Sequence, residues 1–293
     1  MRYFDLFHPA SAAFYFLSVL LLCVFSPHPA LPLCALCGGL AFLAVLRRGR
    51  MSARAIAAGA ALFLLIAVTN PLFVHKGKTV LFLLGRRAVT LEALLYGVSL
   101  SVMLAAAMVW SRCFDAVMTS DKLMFLLGRL SPKTALLFSS ALRFVPLFRQ
   151  QAGRIRTAQR AMGLDGTGGR AGRLRAGART YSALVTWSLE NAVDTGAAMK
   201  GRGFGLKGRT AFSLFHFAER DVLLVIAAAL TDILAAAGMA CGRLDFAYYP
   251  LVTLTRPDAL GSIAIAAFAV LSFLPVVLEG KEELRWRCCR SKI

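Results

Sequence analysis

The chain has few of the side chains on which enzyme active sites and metal centres depend. Its 293 residues include only four histidines and 15 acidic residues, against 34 lysines and arginines. No histidine or carboxylate stands four residues after any histidine, so this spacing of a zinc site on a helix is missing. No nucleophile stands in a recognisable pattern beside a base. The sequence therefore predicts a protein that is not an enzyme, with no catalytic residue, no metal site and no cofactor site.

Two short motifs imitate binding sites without completing them. Cys34 and Cys37 form a CxxC pair, but no second pair or histidine completes a metal site. Cysteine in an apolar segment usually behaves as a small hydrophobic side chain. The Gly-Lys-Thr at 77–79 resembles the end of a phosphate-binding loop, but Leu72 stands where that loop needs its first glycine. Neither motif predicts a ligand.

Apolar residues, in contrast, are abundant enough to predict an integral membrane protein. They make up 58% of the chain, with a mean hydropathy of +0.66, whereas a soluble domain has roughly 45–50% apolar residues. Six windows are apolar enough to cross a bilayer as helices, although the first two are short. They are residues 11–25, 31–46, 55–73, 91–110, 222–240 and 259–278. We expect an all-α, polytopic membrane protein with about six spans.

The basic residues predict which way these spans face. Positive side chains collect on the cytoplasmic side of membrane proteins. With both termini in the cytoplasm, the basic residues left outside are Lys76, Lys78, Arg86, Arg87, Arg243 and Arg256. The basic residues that this topology places in the cytoplasm account for the net charge of +19. We therefore expect no nucleic-acid partner. We expect four spans in 1–110, a cytoplasmic domain in 111–220, and two spans with a basic cytoplasmic tail in 221–293.

The central part contains two long amphipathic helices rich in arginine. Ser131 offers a capping hydroxyl before Pro132, which suits the first helical turn, so the first helix begins there and ends near Gly163. Its apolar positions form one stripe: Leu137, Ala141, Phe144, Phe148, Ala152 and Ile155. A second helix, about 174–200, ends in the glycine-rich segment 201–205. Its apolar edge consists of Val185, Leu189, Ala192, Gly196 and Met199.

Two windows in this part, 135–148 and 181–198, are apolar enough to suggest further spans. The first contains Arg143 and Pro146, and the second contains Glu190 and Asp194. A charged side chain at the centre of a bilayer costs about 2.5–3.5 kcal/mol. We therefore expect both helices to lie along the cytoplasmic face of the membrane without crossing it.

Three ordered motifs in this region resemble a known family. They are Ala-Leu-Arg-Phe-Val-Pro-Leu at 141–147, Ile-Arg-Thr-Ala-Gln-Arg-Ala-Met-Gly-Leu-Asp at 155–165, and Ala-Met-Lys-Gly-Arg-Gly-Phe-Gly at 198–205. Together they are similar to the signature of the transmembrane T component of energy-coupling factor (ECF) transporters. The resemblance is strong over about 70–208 and extends to the flanking spans only in hydropathy.

The resemblance implies a coupling subunit in the plasma membrane of a prokaryote. Two ABC-type ATPase subunits, identical or different, would hydrolyse ATP, and a substrate-binding S component in the bilayer would capture a vitamin or a transition-metal ion. The T component would transmit motion between them. One alternative is a permease subunit of another ABC importer class, which would carry its own pathway. Another is a polytopic membrane enzyme acting on lipid head groups, which would need a polar cluster that the sequence lacks.

In that family, each of two long helices ends in an Ala-Arg-Gly triplet whose arginine docks on one ATPase subunit. The resemblance implies that the two coupling tips are Ala161-Met162-Gly163 and Gly201-Arg202-Gly203. Met162 stands in place of the first arginine, and Gly201 in place of the second alanine. Either Arg160 takes over the first contact, or Met162 packs into its groove, as an adaptable thioether allows.

Overall fold

The computed structural model describes residues 3–46, 53–74, 78–84, 87–164, 169–206, 215–244, 246, 248–249 and 259–290. These ranges hold a short 3-10 helix at Tyr3–Leu6, nine α-helices and one β-hairpin. The helices are α1 (Pro9–Phe25), α2 (Ala30–Leu46), α3 (Ala53–Phe73), α4 (Leu91–Val117), α5 (Ser120–Leu130), α6 (Pro132–Ala161), α7 (Gly169–Gly201), α8 (Glu219–Ala240) and α9 (Ala259–Arg290). The strands are β1 (Val80–Leu84) and β2 (Arg87–Thr90). The first compact unit is Met1–Leu123 with Phe215–Ile293, and the second unit is Met124–Leu214.

All six apolar windows form helices, as the sequence predicts. By length and composition, three segments can cross a membrane: Leu91–Val117, Glu219–Ala240 and Ala259–Glu282. Pro9–Phe25, Ala30–Leu46 and Gly59–Phe73 are shorter apolar helices. The helical membrane class is confirmed, and the number of spans stays a prediction.

The hairpin before α4 is a feature that the sequence did not predict. β1 and β2 pair antiparallel, from Val80 opposite Thr90 to Leu84 opposite Arg87. Thr90 ends the hairpin and also caps α4, because its hydroxyl accepts a hydrogen bond from the backbone N–H of Ala93 at 3.4 Å. The hairpin therefore leads directly into the first turn of α4.

The first unit is built around Trp110, a fully buried residue of α4. Its indole N–H donates to the carbonyl of Ala35 at 2.8 Å, which joins α4 to α2. A Cβ at Gly39, one turn later on α2, would lie 3.0 Å from the indole nitrogen. The rings of Tyr15 and Phe16 pack edge-on against Trp110, with centroids 6.1 and 6.0 Å away. The missing side chain on α2 thus makes room for the largest side chain of the core.

Tyr15 of α1 closes a gap in the hydrogen-bond ladder of α9. Pro275 has no N–H and leaves the carbonyl of Leu271, one turn earlier, without its helical donor. The fully buried Tyr15 hydroxyl donates to that carbonyl at 2.9 Å. Helix α1 therefore supplies the hydrogen bond that the proline removes from α9.

We expect Tyr15→Phe to lower the unfolding temperature of the detergent-solubilised protein, because a buried carbonyl without a donor costs about 1–3 kcal/mol. Pro275→Ala in the Tyr15→Phe background should recover part of the loss, since the alanine N–H can bond the Leu271 carbonyl. Tyr181→Phe is the matched control, because the Tyr181 side chain is 70% exposed. Equal unfolding temperatures for Tyr15→Phe and this control would mean that the hydrogen bond contributes no stability.

A buried carboxylate joins the beginnings of α1 and α8. Asp221 is fully buried in the first turn of α8, where the helix dipole favours a negative charge. It accepts hydrogen bonds from the backbone N–H of His8 at 2.7 Å, the hydroxyl of Ser11 at 2.8 Å and the backbone N–H of Ala218 at 2.9 Å. These partners stabilise a charge that would otherwise be costly to bury.

In the second unit, α6 and α7 form an antiparallel pair. Thr180, in the first half of α7, donates a hydrogen bond at 3.1 Å to Gln159 near the end of α6. Further along α7, the Trp187 ring meets Phe148 with centroids 5.7 Å apart. The end of α7 shares a groove with the beginning of α6. The contacts move back along α6 as they move forward along α7, so the two helices run in opposite directions.

The packed faces of this pair differ from the predicted apolar stripes. Helix α6 begins at Pro132 as predicted, although the Ser131 side chain makes no capping hydrogen bond. Leu137 of the predicted α6 stripe is 66% exposed, whereas Gln159 is buried. Leu189 of the predicted α7 edge is 64% exposed, whereas Thr180 is buried. The apolar stripes that periodicity identifies are therefore only partly buried within the pair.

Candidate functional site

The first tip is a helix end that requires glycine. Helix α6 ends at Ala161, Met162 is the C-cap, and Gly163 has a φ of 69°. The N–H of Gly163 donates to the carbonyl of Arg160 at 3.0 Å, and the N–H of Leu164 donates to the carbonyl of Gln159 at 2.9 Å. This pair of bonds is a Schellman motif, in which the residue after the cap must be left-handed.

The second tip is built in the same way. Helix α7 ends at Gly201, Arg202 follows it, and Gly203 has a φ of 80°. The N–H of Gly203 donates to the carbonyl of Lys200 at 3.0 Å, and the N–H of Phe204 donates to the carbonyl of Met199 at 3.0 Å. The last turn of α7 is therefore closed by a second Schellman motif.

The two tips match position by position. Each has a basic residue two places before the cap, a small residue one place before it, and a left-handed glycine after it. In this order the residues are Arg160, Ala161, Met162 and Gly163 at the first tip, and Lys200, Gly201, Arg202 and Gly203 at the second. Met162 and Arg202 thus occupy the same structural position, and both are exposed. Arg160 corresponds instead to Lys200, on the last helical turn.

The antiparallel pairing places the two tips at opposite ends of the helix pair. Thr180 lies beside the last turn of α6, and α7 continues from there to Met199 at the second tip. At about 1.5 Å per residue, this stretch separates the tips by on the order of 30 Å. One compact helix pair therefore presents two similar surfaces that are far enough apart for two separate partners.

A groove of about 390 Å³ adjoins the second tip, between the beginning of α6 and the end of α7. Its lining residues are Leu136, Ser139, Ser140, Arg143, Thr195, Ala198, Met199 and Arg202. Two arginines and three hydroxyl groups therefore surround one cavity. Of these residues, only Arg202 belongs to the coupling tips that the family resemblance implies. Arg143 belongs to the 141–147 motif, and this motif is the sequence signal that could have indicated the α6 side of the groove.

The helix pair also exposes many apolar side chains. On α7 they follow one another by one or two turns, at Leu174, Tyr181, Val185, Leu189 and Val193, with exposed fractions between 39% and 77%. We call this set the α7 apolar stripe. On α6, Leu137, Phe138, Leu142 and Val145 are also at least 48% exposed. Large exposed apolar patches are typical of sites of protein or membrane contact.

No group of three or more histidine, cysteine or acidic side chains that could hold a metal ion is present in the part of the chain that the structure describes. Cys34 and Cys37 both lie in the apolar helix α2. Gly77 of the motif that resembles a phosphate-binding loop lies outside the described residues, and Lys78 is exposed before β1.

The chain is similar to one known family and to three curated proteins. Residues 6–212 match the family described as Cobalt transport protein. The chain is 38% identical over 91 residues to the energy-coupling factor transporter transmembrane protein EcfT of Lactobacillus helveticus, covering 30% of this chain and 33% of that protein. It is 35% identical over 98 residues to EcfT of Listeria innocua, covering 33% and 37%. It is 35% identical over 107 residues to EcfT 1 of Listeria monocytogenes, covering 36% and 39%. The chain spans about a third of the length of these curated relatives.

Apolar helices in one unit and an exposed, arginine-rich helix pair in the other define the protein as a polytopic α-helical membrane protein. The family match extends over most of the chain. The chain therefore belongs to the Cobalt transport protein family, and its predicted relationship to the transmembrane component of ECF transporters is confirmed.

Proposed function

We propose that this protein is the transmembrane coupling subunit of an ECF-type ABC importer. It transmits the ATP-driven motion of two cytoplasmic ATPase subunits, identical or different, to a substrate-binding S component that takes up a vitamin or a transition-metal ion. The observation that carries the proposal is the pair of matching Schellman tips at opposite ends of one helix pair. Repetition of one exposed motif is expected where two similar partners dock.

The helix pair is suited to act as a pair of levers. Helix α6 has 30 residues and α7 has 33, so each is more than twice as long as an average helix of about 11–12 residues. The contacts of Thr180 with Gln159 and of Trp187 with Phe148 hold the two helices together. A displacement of one tip is therefore passed along a stiff element to the rest of the unit.

The α7 apolar stripe is the surface on which we place contact with the S component and the inner face of the bilayer. Its side chains are large and apolar, whereas the tips are basic and open. ATPase contact and membrane contact thus use different surfaces of one unit. In this proposal the protein itself is not catalytic, and ATP hydrolysis takes place in the ATPase subunits.

We place the protein in the plasma membrane of a prokaryote, with both termini and the 111–220 region in the cytoplasm. We expect single cysteines at Ala171 and Arg202, in a background without the seven native cysteines, to react with an impermeant thiol reagent only from the cytoplasmic side. Both positions are exposed on α7 or its tip. Lys78→Cys is the matched control, because this exposed position is expected outside and should react in intact cells. Labelling of Ala171→Cys in intact cells would mean that α6 crosses the membrane.

The function itself is tested by purifying a tagged form of the protein from its native membrane under mild detergent and identifying the associated proteins by mass spectrometry. We expect ABC-type ATPase subunits and a small membrane protein that binds the substrate. Recovery of the protein with no ATPase, in a detergent that preserves other ABC transporters of the same membrane, would contradict the proposal.

A further inference from the structure

The groove beside the second tip carries positive charge. Arg143 and Arg202 both line it, and none of the lining residues that the structure describes is acidic. Within the described ranges, neither guanidinium forms an ion pair, and Arg143 only stands over the Phe144 ring at 5.7 Å. Two like charges around one cavity repel each other, so an anion in the groove would stabilise the arrangement.

Two hydroxyl groups of the groove are also available as donors. Serine and threonine inside a helix commonly bond back to a carbonyl one turn earlier. Ser140 does so with Leu136 at 2.8 Å, and Thr186 with Ser182 at 3.2 Å. In the part of the chain that the structure describes, Ser139 and Thr195 make no such bond. The groove thus offers two guanidinium groups and two unused hydroxyls on one side of the tip.

We propose that this groove receives an acidic side chain of the ATPase subunit that docks at the second tip. The inference rests on the proposed function and adds Arg143, Ser139 and Thr195 to its docking site. A guanidinium presents planar paired donors that match a carboxylate, and hydroxyl donors satisfy the remaining lone pairs. The apolar lining by Leu136, Ala198 and Met199 suits the methylene groups of an aspartate or glutamate. Arg202 and Met199 also line the adjoining groove with Phe204, so the tip and the acidic pocket form one continuous surface.

The first test measures the affinity of the purified ATPase subunits for the protein in detergent. We expect Arg143→Ala to weaken binding about tenfold or more, since it removes charge-assisted hydrogen bonds to the partner carboxylate. The loss should be smaller at high salt, where charge pairs are screened. Arg149→Ala, another exposed arginine of α6 that does not line the groove, is the matched control and should bind as wild type does.

A second test identifies the occupant directly. In Arg143→Lys, a carbodiimide activates the partner carboxylate, and the amine of the introduced lysine then attacks it to form an amide bond while the carbodiimide leaves as a urea. We expect mass spectrometry to find the introduced lysine joined to an aspartate or glutamate of the ATPase. Arg149→Lys, treated in the same way, should give no such product.

The outcomes separate the two levels of the proposal. If the wild-type protein binds no ATPase, the proposed function fails. If it binds ATPase but Arg143→Ala behaves as Arg149→Ala does, only the groove proposal is overturned. A loss that does not depend on salt would mean that Arg143 acts by packing on Phe144, and it would also overturn the groove proposal. A cross-link only to a carboxylate of this same chain would mean that the charge of the groove is balanced internally, and it would overturn the proposal as well. So would a loss that disappears once anionic phospholipid is removed, because the occupant would then be a lipid head group.

Discussion

We expect Arg202→Glu to abolish transport and to release the ATPase subunit that docks at the second tip. Replacing the cation by an anion removes charge-assisted hydrogen bonds and adds repulsion, and truncation of one partner of such a pair costs about 2–5 kcal/mol. A loss of this size is roughly a 30-fold to several thousand-fold drop in affinity. Association of tagged protein with the ATPases, followed by substrate uptake in proteoliposomes, measures both effects.

The fold should survive this substitution. The second tip is closed by backbone hydrogen bonds from Gly203 and Phe204, which do not involve the Arg202 side chain. Arg149→Glu is the control, because Arg149 is also exposed but lies near the middle of α6, away from both tips. Both variants should have the unfolding temperature of the wild type. If Arg202→Glu retains the ATPases fully, the assignment of this tip as an ATPase-docking site is wrong.

The second large effect is expected at Met162. This side chain is 64% exposed at the position that corresponds to Arg202. Burying a methionine side chain against a partner contributes about 1.5–3 kcal/mol, which Met162→Asp would lose while adding the cost of a buried charge. We expect Met162→Asp to reduce transport severely. Met162→Arg should be tolerated, since the second tip carries arginine in the same backbone geometry.

Met162→Leu is the matched control and should transport as wild type does. The alternative, in which Arg160 makes the first contact, is tested by Arg160→Ala in the same transport assay. A far larger loss for Arg160→Ala than for Met162→Asp would favour the shifted arginine. The structure favours Met162, because Arg160 corresponds to Lys200 on the last turn and Met162 corresponds to Arg202 at the cap.

Much of the fold could be predicted because the relevant signals are local. An apolar window forms a helix by its own composition, and α1–α4, α8 and α9 lie where the windows predict. Proline at the first helical position set the beginning of α6, and glycine after the cap set the ends of α6 and α7. The glycines that close both tips belong to the same short segments, whereas the coupling role of the tips is implied by the family resemblance and stays a prediction.

The helix faces could not be predicted with the same success. The apolar stripe of α6 is clear in the sequence, yet Leu137 of that stripe is mostly exposed. The same holds for Leu189 on the apolar edge of α7. Periodicity shows that one face of a helix is apolar, but it does not show what that face contacts. The buried hydrogen bond between Thr180 and Gln159 marks the inner face instead.

Local chemistry in the chain was sufficient to decide the membrane class and the ends of α6 and α7, because each depends on residues that are neighbours in sequence. The tertiary structure alone decided that Arg143 lies beside Arg202, and that Tyr15 donates to Leu271. It also decided that Asp221 collects donors from α1. These contacts join residues that are far apart in the chain. They exist only when separate helices pack at a particular angle and in a particular register, so no periodicity or spacing in the sequence encodes them.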